Sequence, residues 1–184
     1  MTPFRPLVLG MVLTATAGFV DAIGFIELGG YFVSFMSGNT TQGGAAMVHG
    51  DWGIVRLTLS LVALFFVGSV VGTLLATTNH RWAPALVSGA VALGVGATLG
   101  LRLNGFSADQ SMLILAAAAG AQNAILPIRG AVRLGATFVT GTLYVAGQDL
   151  ASALRGKVPR WRWLQHLAVW LSLFIGAAIG ALLF

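Results

Sequence analysis

Long runs of apolar residues, separated by short polar links, make up most of this chain. Each run is close to the roughly 20 residues that an α-helix needs to cross about 30 Å of hydrocarbon. The pattern therefore predicts an all-α, polytopic membrane protein with about seven transmembrane helices. The predicted helices cover residues 7–27, 31–48, 55–77, 83–103, 109–127, 134–152 and 164–184.

The composition supports a membrane protein and argues against a nucleic-acid partner. The chain is 57% hydrophobic and only 8% charged, with no cysteine, whereas a soluble domain carries about 25% charged residues. The net charge of +5 is concentrated in one link, which is typical of an orientation signal rather than of nucleic-acid binding. We therefore expect the lipid bilayer as partner. The basic residues of that link are Arg155, Lys157, Arg160 and Arg162.

The distribution of basic residues predicts the orientation of the chain. If all seven runs cross and the N-terminus is inside, seven Lys and Arg residues lie inside and three outside. The positive-inside rule then predicts a bacterial inner-membrane protein with a cytoplasmic N-terminus and an external C-terminus. A cleaved signal peptide is an alternative, because Ala15-Thr16-Ala17 resembles a cleavage site, but the apolar run continues to Ile26.

Two parts of the chain resemble each other. Residues 17–23 read Ala-Gly-Phe-Val-Asp-Ala-Ile and residues 119–125 read Ala-Gly-Ala-Gln-Asn-Ala-Ile, so that Asn123 stands where Asp21 stood. Residues 35–39 and 68–75 match 138–142 and 176–183 in the same order. We therefore predict one transmembrane domain in a 3+1+3 arrangement, with repeat one at 7–77, a linker helix at 83–103 and repeat two at 109–184. A linker that crosses once makes the two repeats parallel.

Asp21 is the sharpest functional signal. It is the only charged residue between Leu7 and Ile26, and a carboxylate at membrane depth costs about 2.5–3.5 kcal/mol and usually marks an ion or proton pathway. The alternative is a structural Asp that bonds a neighbouring helix. Polar residues in the other matched runs either line the same site or act as interhelical glue. They are Ser37, Asn39, Thr40, Gln122, Asn123, Thr140 and Thr142.

Arg133 stands at the start of the sixth run. We predict that it folds inward as a counter-ion to Asp21 or as an anion contact, with a snorkelling interfacial Arg as the alternative. The remaining polar residues at run ends are interpreted as interfacial. No hydrolase, phosphate-loop, dinucleotide or zinc motif occurs, so we expect no enzyme, no cofactor and no metal site. The interfacial residues are Glu27, His49, Asp51, Asp109 and Asp149.

Four blocks, at residues 17–22, 35–41, 120–124 and 137–143, resemble the YoaK family of small bacterial inner-membrane proteins. The resemblance spans nearly the whole chain. It implies a multi-pass protein described as a permease, without an agreed substrate. The residues on the family's motif positions are Asp21, Ser37, Gly38, Asn39, Gln122, Asn123, Arg133, Thr140, Gly141 and Thr142.

Two functional hypotheses follow. The first is a transporter that binds a small molecule or an ion between the two halves near the midplane, with Asp21 as the proton-linked or cation-binding group. The second is a scaffold or accessory subunit in which the polar residues only fix helix packing. A channel is disfavoured because no ring of charges or filter-like carbonyl loop is visible. Whether the protein forms a homo-oligomer stays open.

Overall fold

The computed structural model describes residues 4–78, 81–125, 137 and 139–184. These residues form seven α-helices and no β-strand, which confirms the prediction of an all-α polytopic membrane protein. A short 3-10 turn, Asn123–Ile125, continues the fifth helix. The helices are α1 Phe4–Glu27, α2 Met36–His49, α3 Trp52–Ala76, α4 Ala83–Leu103, α5 Ala108–Gln122, α6 Val139–Leu154 and α7 Arg162–Leu183.

The helices fall into two length classes. Among the described residues, α1, α3, α4 and α7 are long and apolar enough to cross a membrane. In contrast, α2 has 14 residues and α6 has 16, which corresponds to about 21 and 24 Å at 1.5 Å per residue. Both begin about five residues later than the apolar runs predict. With its 3-10 turn, α5 reaches roughly 28 Å, close to the hydrocarbon thickness.

Large apolar side chains point outward along the long helices. Phe66 on α3 is 67% exposed, Leu93 on α4 is 76% exposed and Ile175 on α7 is 55% exposed. Contiguous exposed apolar surface of this kind is rare on soluble monomers. These outer faces fit contact with lipid chains.

The described helices belong to two compact units. Unit 1 contains α1 as far as Phe19 together with α6 and α7. Unit 2 spans Val20–Ile125 and contains the end of α1 with α2, α3, α4 and α5.

In unit 2, α3 and α5 pack backbone against backbone. A Cβ atom added to Gly68 would collide with the carbonyl of Ala117, and one added to Gly72 would collide with the backbone of Ala121. A Cβ on Gly120 would likewise strike α3. Because both contact positions advance by one turn in the same direction, α3 and α5 are parallel. Glycine permits this close approach because it has no side chain.

Unit 1 contains a second contact of the same kind, between α1 and α7. A Cβ on Gly176 would collide with the carbonyl of Ala15, and a Cβ on Gly180 with the backbone of Phe19. A Cβ on Gly18 would strike α7 in turn. The helices α1 and α7 are therefore parallel, and the first residues of both lie at the same end of unit 1.

The helix α2 extends along only part of α3. Gly50, with φ of 78°, ends α2, and the chain turns directly into α3. The two helices are therefore antiparallel, and Gly43 of α2 faces Thr58 of α3. Met36, the first residue of α2, then lies level with the middle of the 25-residue α3. We call the non-helical stretch that leads to it, residues 28–35, the arm.

An ion pair fixes the direction of α1 within unit 2. The helix α4 is antiparallel to α5, and the Thr98 hydroxyl lies 3.3 Å from the carbonyl of Ser111. Near the end of α4, Arg102 donates to both carboxylate oxygens of Glu27 at 2.7 Å. The end of α1 therefore lies where α5 begins, and these two helices run in opposite directions. The arrangement of the two repeats predicted above stays a prediction.

Cysteine accessibility tests this topology, since the natural chain contains no cysteine. If α2 reaches only halfway, Asp51→Cys and Asn104→Cys react with an impermeant maleimide on the side opposite to the N-terminus, and Thr78→Cys reacts on the N-terminal side. All of these positions are exposed. Labelling of intact and opened cells measures the side.

Lys157→Cys is the reference, because it lies on the N-terminal side whether or not the short helices cross. If Asp51→Cys and Asn104→Cys label on the same side as Lys157→Cys, and Thr78→Cys on the other, α2 crosses the bilayer and the half-length interpretation fails.

A matched pair of glycine substitutions tests the α3–α5 contact. Gly120→Ala should lower the free energy of unfolding by about 1–3 kcal/mol, because the backbone of α3 must move to admit the methyl group. Gly96→Ala on α4, where nothing lies within 4 Å of the added Cβ, should be neutral or stabilising by up to about 1 kcal/mol. Reversible unfolding in mixed micelles measures both variants, and equal losses would contradict the contact.

Candidate functional site

Two glycines end α1 and turn the chain into the arm. Gly29 and Gly30 have φ of 68° and 114°, conformations that residues with a side chain rarely adopt. The N–H groups of Leu28 and Gly30 bond the carbonyls of Gly24 and Phe25 at 2.8 Å, which satisfies carbonyls that a helix end leaves free. The chain then stays non-helical up to α2.

Asp21 holds the arm from the side of α1. Its Oδ1 accepts hydrogen bonds from the backbone N–H of Val33 at 2.9 Å and of Ser34 at 2.6 Å. Its Oδ2 accepts a bond from the Ser34 hydroxyl at 2.7 Å. These three donors share the two oxygens of one carboxylate, so Asp21 fixes the end of the arm at Val33 and Ser34.

Asn39 holds the arm from the side of α2. This side chain is completely buried. Its Nδ2 donates to the carbonyl of Phe32 at 2.6 Å, and its Oδ1 accepts from the N–H of the same residue at 2.9 Å. One turn further along, Gln42 donates to the carbonyl of Gly30 at 2.9 Å. The side chains of α1 and α2 thus replace the hydrogen bonds that a helix would supply.

Three aromatic rings brace the same segment. The rings of Phe25 and Phe32 lie 5.3 Å apart, and those of Phe32 and Phe35 meet edge to face at 5.2 Å. A Cβ on Gly38 would press against the Phe32 and Phe35 rings, which gives the glycine in this motif a packing reason. Beside them, the side chain of Ser37 is exposed.

The structure brings some of the predicted site residues together. Asp21 and Asn39 converge on the arm. Ser37 and Thr40 lie near the start of α2. The exposed Thr40 hydroxyl donates to the carbonyl of Met36 in the same helix at 2.8 Å. We call the end of the arm at Ser34, together with Ser37 in the first turn of α2, the tip of α2. Sequence reasoning missed the contact of Gln42, although its position three residues after Asn39 places both on one helix face.

The predicted residues of the second half lie at the end of α5, in the 3-10 turn and at the start of α6. Gln122 is buried at the end of α5, and Asn123 donates to the carbonyl of Ala119 at 3.2 Å. Thr140 is exposed and Thr142 is buried at the start of α6, in unit 1. Arg133 lies outside the described residues, so its pairing with Asp21 and the convergence of the two halves stay predictions.

Sequence reasoning also missed a buried charged cluster in unit 1. Asp149, interpreted above as interfacial, is only 6% exposed. Its Oδ2 lies 2.9 Å from Nε of Arg162 and 3.3 Å from Nε2 of His166. The one available signal was the spacing of Arg162 and His166, which places both on one face of α7. Among the described residues, no group of three His, Cys, Asp or Glu side chains could hold a metal ion.

Removal of the Asn39 side chain tests its role. Asn39→Ala should lower the free energy of unfolding by about 2–4 kcal/mol, because it leaves both polar groups of the Phe32 backbone unpaired, each at about 1–3 kcal/mol. Thr40→Ala, one residue away, should cost less than about 0.5 kcal/mol, since its hydroxyl is exposed and bonds only its own helix. A similar loss in the two variants, measured by unfolding in mixed micelles, would show that Asn39 does not support the arm.

Comparisons with known proteins were consistent over almost the entire chain. Residues 9–184 match the family described as "Protein of unknown function (DUF1275)". The chain is 34% identical to the UPF0700 transmembrane protein RA0705 of Rhizobium meliloti (strain 1021), over 96% of this chain and 75% of that protein. It is 26% identical to the UPF0700 transmembrane protein YoaK of Bacillus subtilis (strain 168), over 94% of this chain and 79% of that protein.

No solved structure matches the chain. The family match and the identity to RA0705 both exceed what chance similarity between membrane helices produces over so much of a sequence. The chain belongs to the DUF1275 family of transmembrane proteins, which includes YoaK, as its sequence blocks indicate.

Proposed function

We propose that this protein is a small inner-membrane transporter whose substrate passes the tip of α2. The observation that carries the proposal is the arm, a non-helical stretch held level with the middle of α3. Non-helical backbone at membrane depth is tolerated where it is buried in protein or lines a water-filled cavity. In transporters, such broken helices form the substrate and ion sites near the midplane.

We further propose that the two halves form an inverted repeat. The sequence match pairs residues 35–39 with 138–142, and α2 and α6 begin at the matched positions Met36 and Val139. Both helices are short, and the first helices of the two halves, α1 and α5, run in opposite directions within unit 2.

The charge distribution supports this topology. If α1, α3, α4, α5 and α7 cross and the two short helices do not, eight basic residues fall on the side of the N-terminus and two on the other. If all seven helices cross, seven basic residues lie on the side of the N-terminus and three on the other side. The positive-inside rule then favours a cytoplasmic N-terminus and an external C-terminus. The eight residues are Arg5, Arg81, Arg129, Arg133, Arg155, Lys157, Arg160 and Arg162.

The chemistry of the tip favours a cation or a neutral polar solute over an anion. Asp21 brings an acidic group to the arm, whereas its counterpart in the second half is the amide Asn123. The exposed hydroxyl of Ser37 adds a neutral donor and acceptor. Asp21 would then act on the substrate through its charge, and Asn39 would hold the backbone that presents it.

A non-transporting scaffold is the second candidate. The observation in its favour is that three donors already satisfy Asp21, so the carboxylate has a structural role even without a ligand. The two candidates differ in whether water reaches the tip.

Water access to Ser37 tests the proposal without knowledge of the substrate. Ser37→Cys should react with a small charged methanethiosulfonate reagent, because a substrate pathway at the tip contains water. Phe66→Cys is the matched control, since Phe66 is 67% exposed on α3 near the same depth but faces lipid, where the charged reagent does not dissolve. Mass spectrometry of the protein in vesicles measures the fraction modified.

The two transport-relevant outcomes are distinct. Modification of Ser37→Cys at least about tenfold faster than that of Phe66→Cys supports a water-filled pathway. Equal, slow modification of both variants favours the scaffold and removes the tip from any transport mechanism.

A further inference from the structure

We infer that Asp149, Arg162 and His166 form a proton-binding site where α6 meets the start of α7. The three side chains share one carboxylate oxygen, Oδ2 of Asp149, which lies 2.9 Å from the guanidinium and 3.3 Å from the imidazole. Asp149 is 6% exposed and His166 is 3% exposed. Asp149 and His166 are therefore buried, whereas 34% of the Arg162 side chain is exposed and joins the cluster to the surface.

The buried oxygen retains unused hydrogen-bonding capacity. Although Arg162 and His166 are close to it, neither contact is aligned as a hydrogen bond among the described residues. A buried polar atom without an aligned partner costs free energy. The presence of Asp149 at this position therefore calls for a reason. A group that alternates between two protonation states cannot be aligned optimally for both, which gives such a reason.

Comparison with the first half indicates that packing does not require these charges. Extended without a gap, the match of 35–39 with 138–142 places Ala46 at the position of Asp149, and the match of 68–75 with 176–183 places Thr58 at that of His166. Thr58 bonds the carbonyl of Ile54, one turn back in its own helix, at 2.8 Å, and Ile54 is itself the counterpart of Arg162. A short helix therefore packs on its partner through neutral residues in the first half. The charged cluster is an addition specific to the second half.

Proton binding changes the net charge of the cluster from zero to +1. With the imidazole neutral, Asp149 and Arg162 balance each other, and Nε2 of His166 faces the carboxylate. A proton from water would bind the other ring nitrogen, Nδ1, and form an imidazolium that shares Asp149 with Arg162. No bond other than the N–H bond forms.

The surrounding charges of unit 1 are all basic. The described part of α1 in this unit carries only Arg5, in its first turn, and α6 carries no charged residue besides Asp149. The link between α6 and α7 contributes Arg155, Lys157 and Arg160, which are exposed. Asp149 is thus the one described carboxylate that can stabilise an imidazolium here. Coupling of this proton to substrate movement rests on the proposed function, but proton binding does not.

Nitrogen NMR of histidine-labelled protein tests the site. The chain contains three histidines, and loss of one signal in His166→Gln assigns the resonance. We expect the His166 imidazole to change from neutral to charged as the pH is lowered across and below the range in which an unperturbed histidine titrates. In Asp149→Asn the midpoint should fall by at least about one pH unit, a tenfold loss in proton affinity.

Two further variants serve as controls. His49→Gln, at an exposed position, should leave the His166 titration unchanged. If Asp149→Asn does not fold, Asp149→Asn/Arg162→Gln removes both charges and keeps the cluster neutral, and its imidazole should also lose proton affinity, because the carboxylate that stabilises the imidazolium is gone. A His166 signal that stays in one protonation state over the whole range, or one that titrates identically in Asp149→Asn, would overturn the inference whatever the transport assays show.

Discussion

Hydrogen bonding of the non-helical arm is the constraint on which this structure depends. In hydrocarbon, each unpaired backbone N–H or C=O group costs several kcal/mol, and the arm cannot pair these groups within itself. Asp21, Asn39 and Gln42 supply partners from two different helices. The polar residues of the apolar runs are therefore the condition for a broken helix to exist at membrane depth. The same condition gives the tip its polarity, so the structural role of Asp21 is compatible with the function proposed for it.

Close contacts between glycine-bearing helices provide the rigid frame around these short elements. In unit 2, α3 and α5 touch backbone to backbone, and in unit 1, α1 and α7 do the same at matched positions. Without a hydrophobic driving force between helices in lipid, such packing is a main source of association. Each contact joins the first helix of one half to the last helix of the other. A half therefore cannot pack completely on its own.

The sequence predicted the helices, whose length depends on bilayer thickness, and some of the polar side chains that stand out within apolar runs. Run lengths indicated seven helices, and the polarity of Asp21 and Asn39 within apolar runs singled out two of the three side chains that hold the arm. The half-length of α2 was not predictable, because residues 31–48 have the length and composition of a crossing helix. Its consequence, the opposite directions of α1 and α5, depends on the contact of Glu27 with Arg102, which are 75 residues apart. The burial of Asp149 depends in the same way on partners in another helix.

The two half-length helices differ in how they are joined to their long neighbours. Only Gly50 and Asp51 separate α2 from α3, whereas residues 155–161 separate α6 from α7. A two-residue joint transmits any tilt of α2 directly to α3, whose backbone is already locked against α5. The longer tether before α7 can absorb a change of tilt within itself. The two joints are consequently unequal, and in the second half the placement of α6 on its long partner depends on side-chain contacts such as that of Asp149 with Arg162.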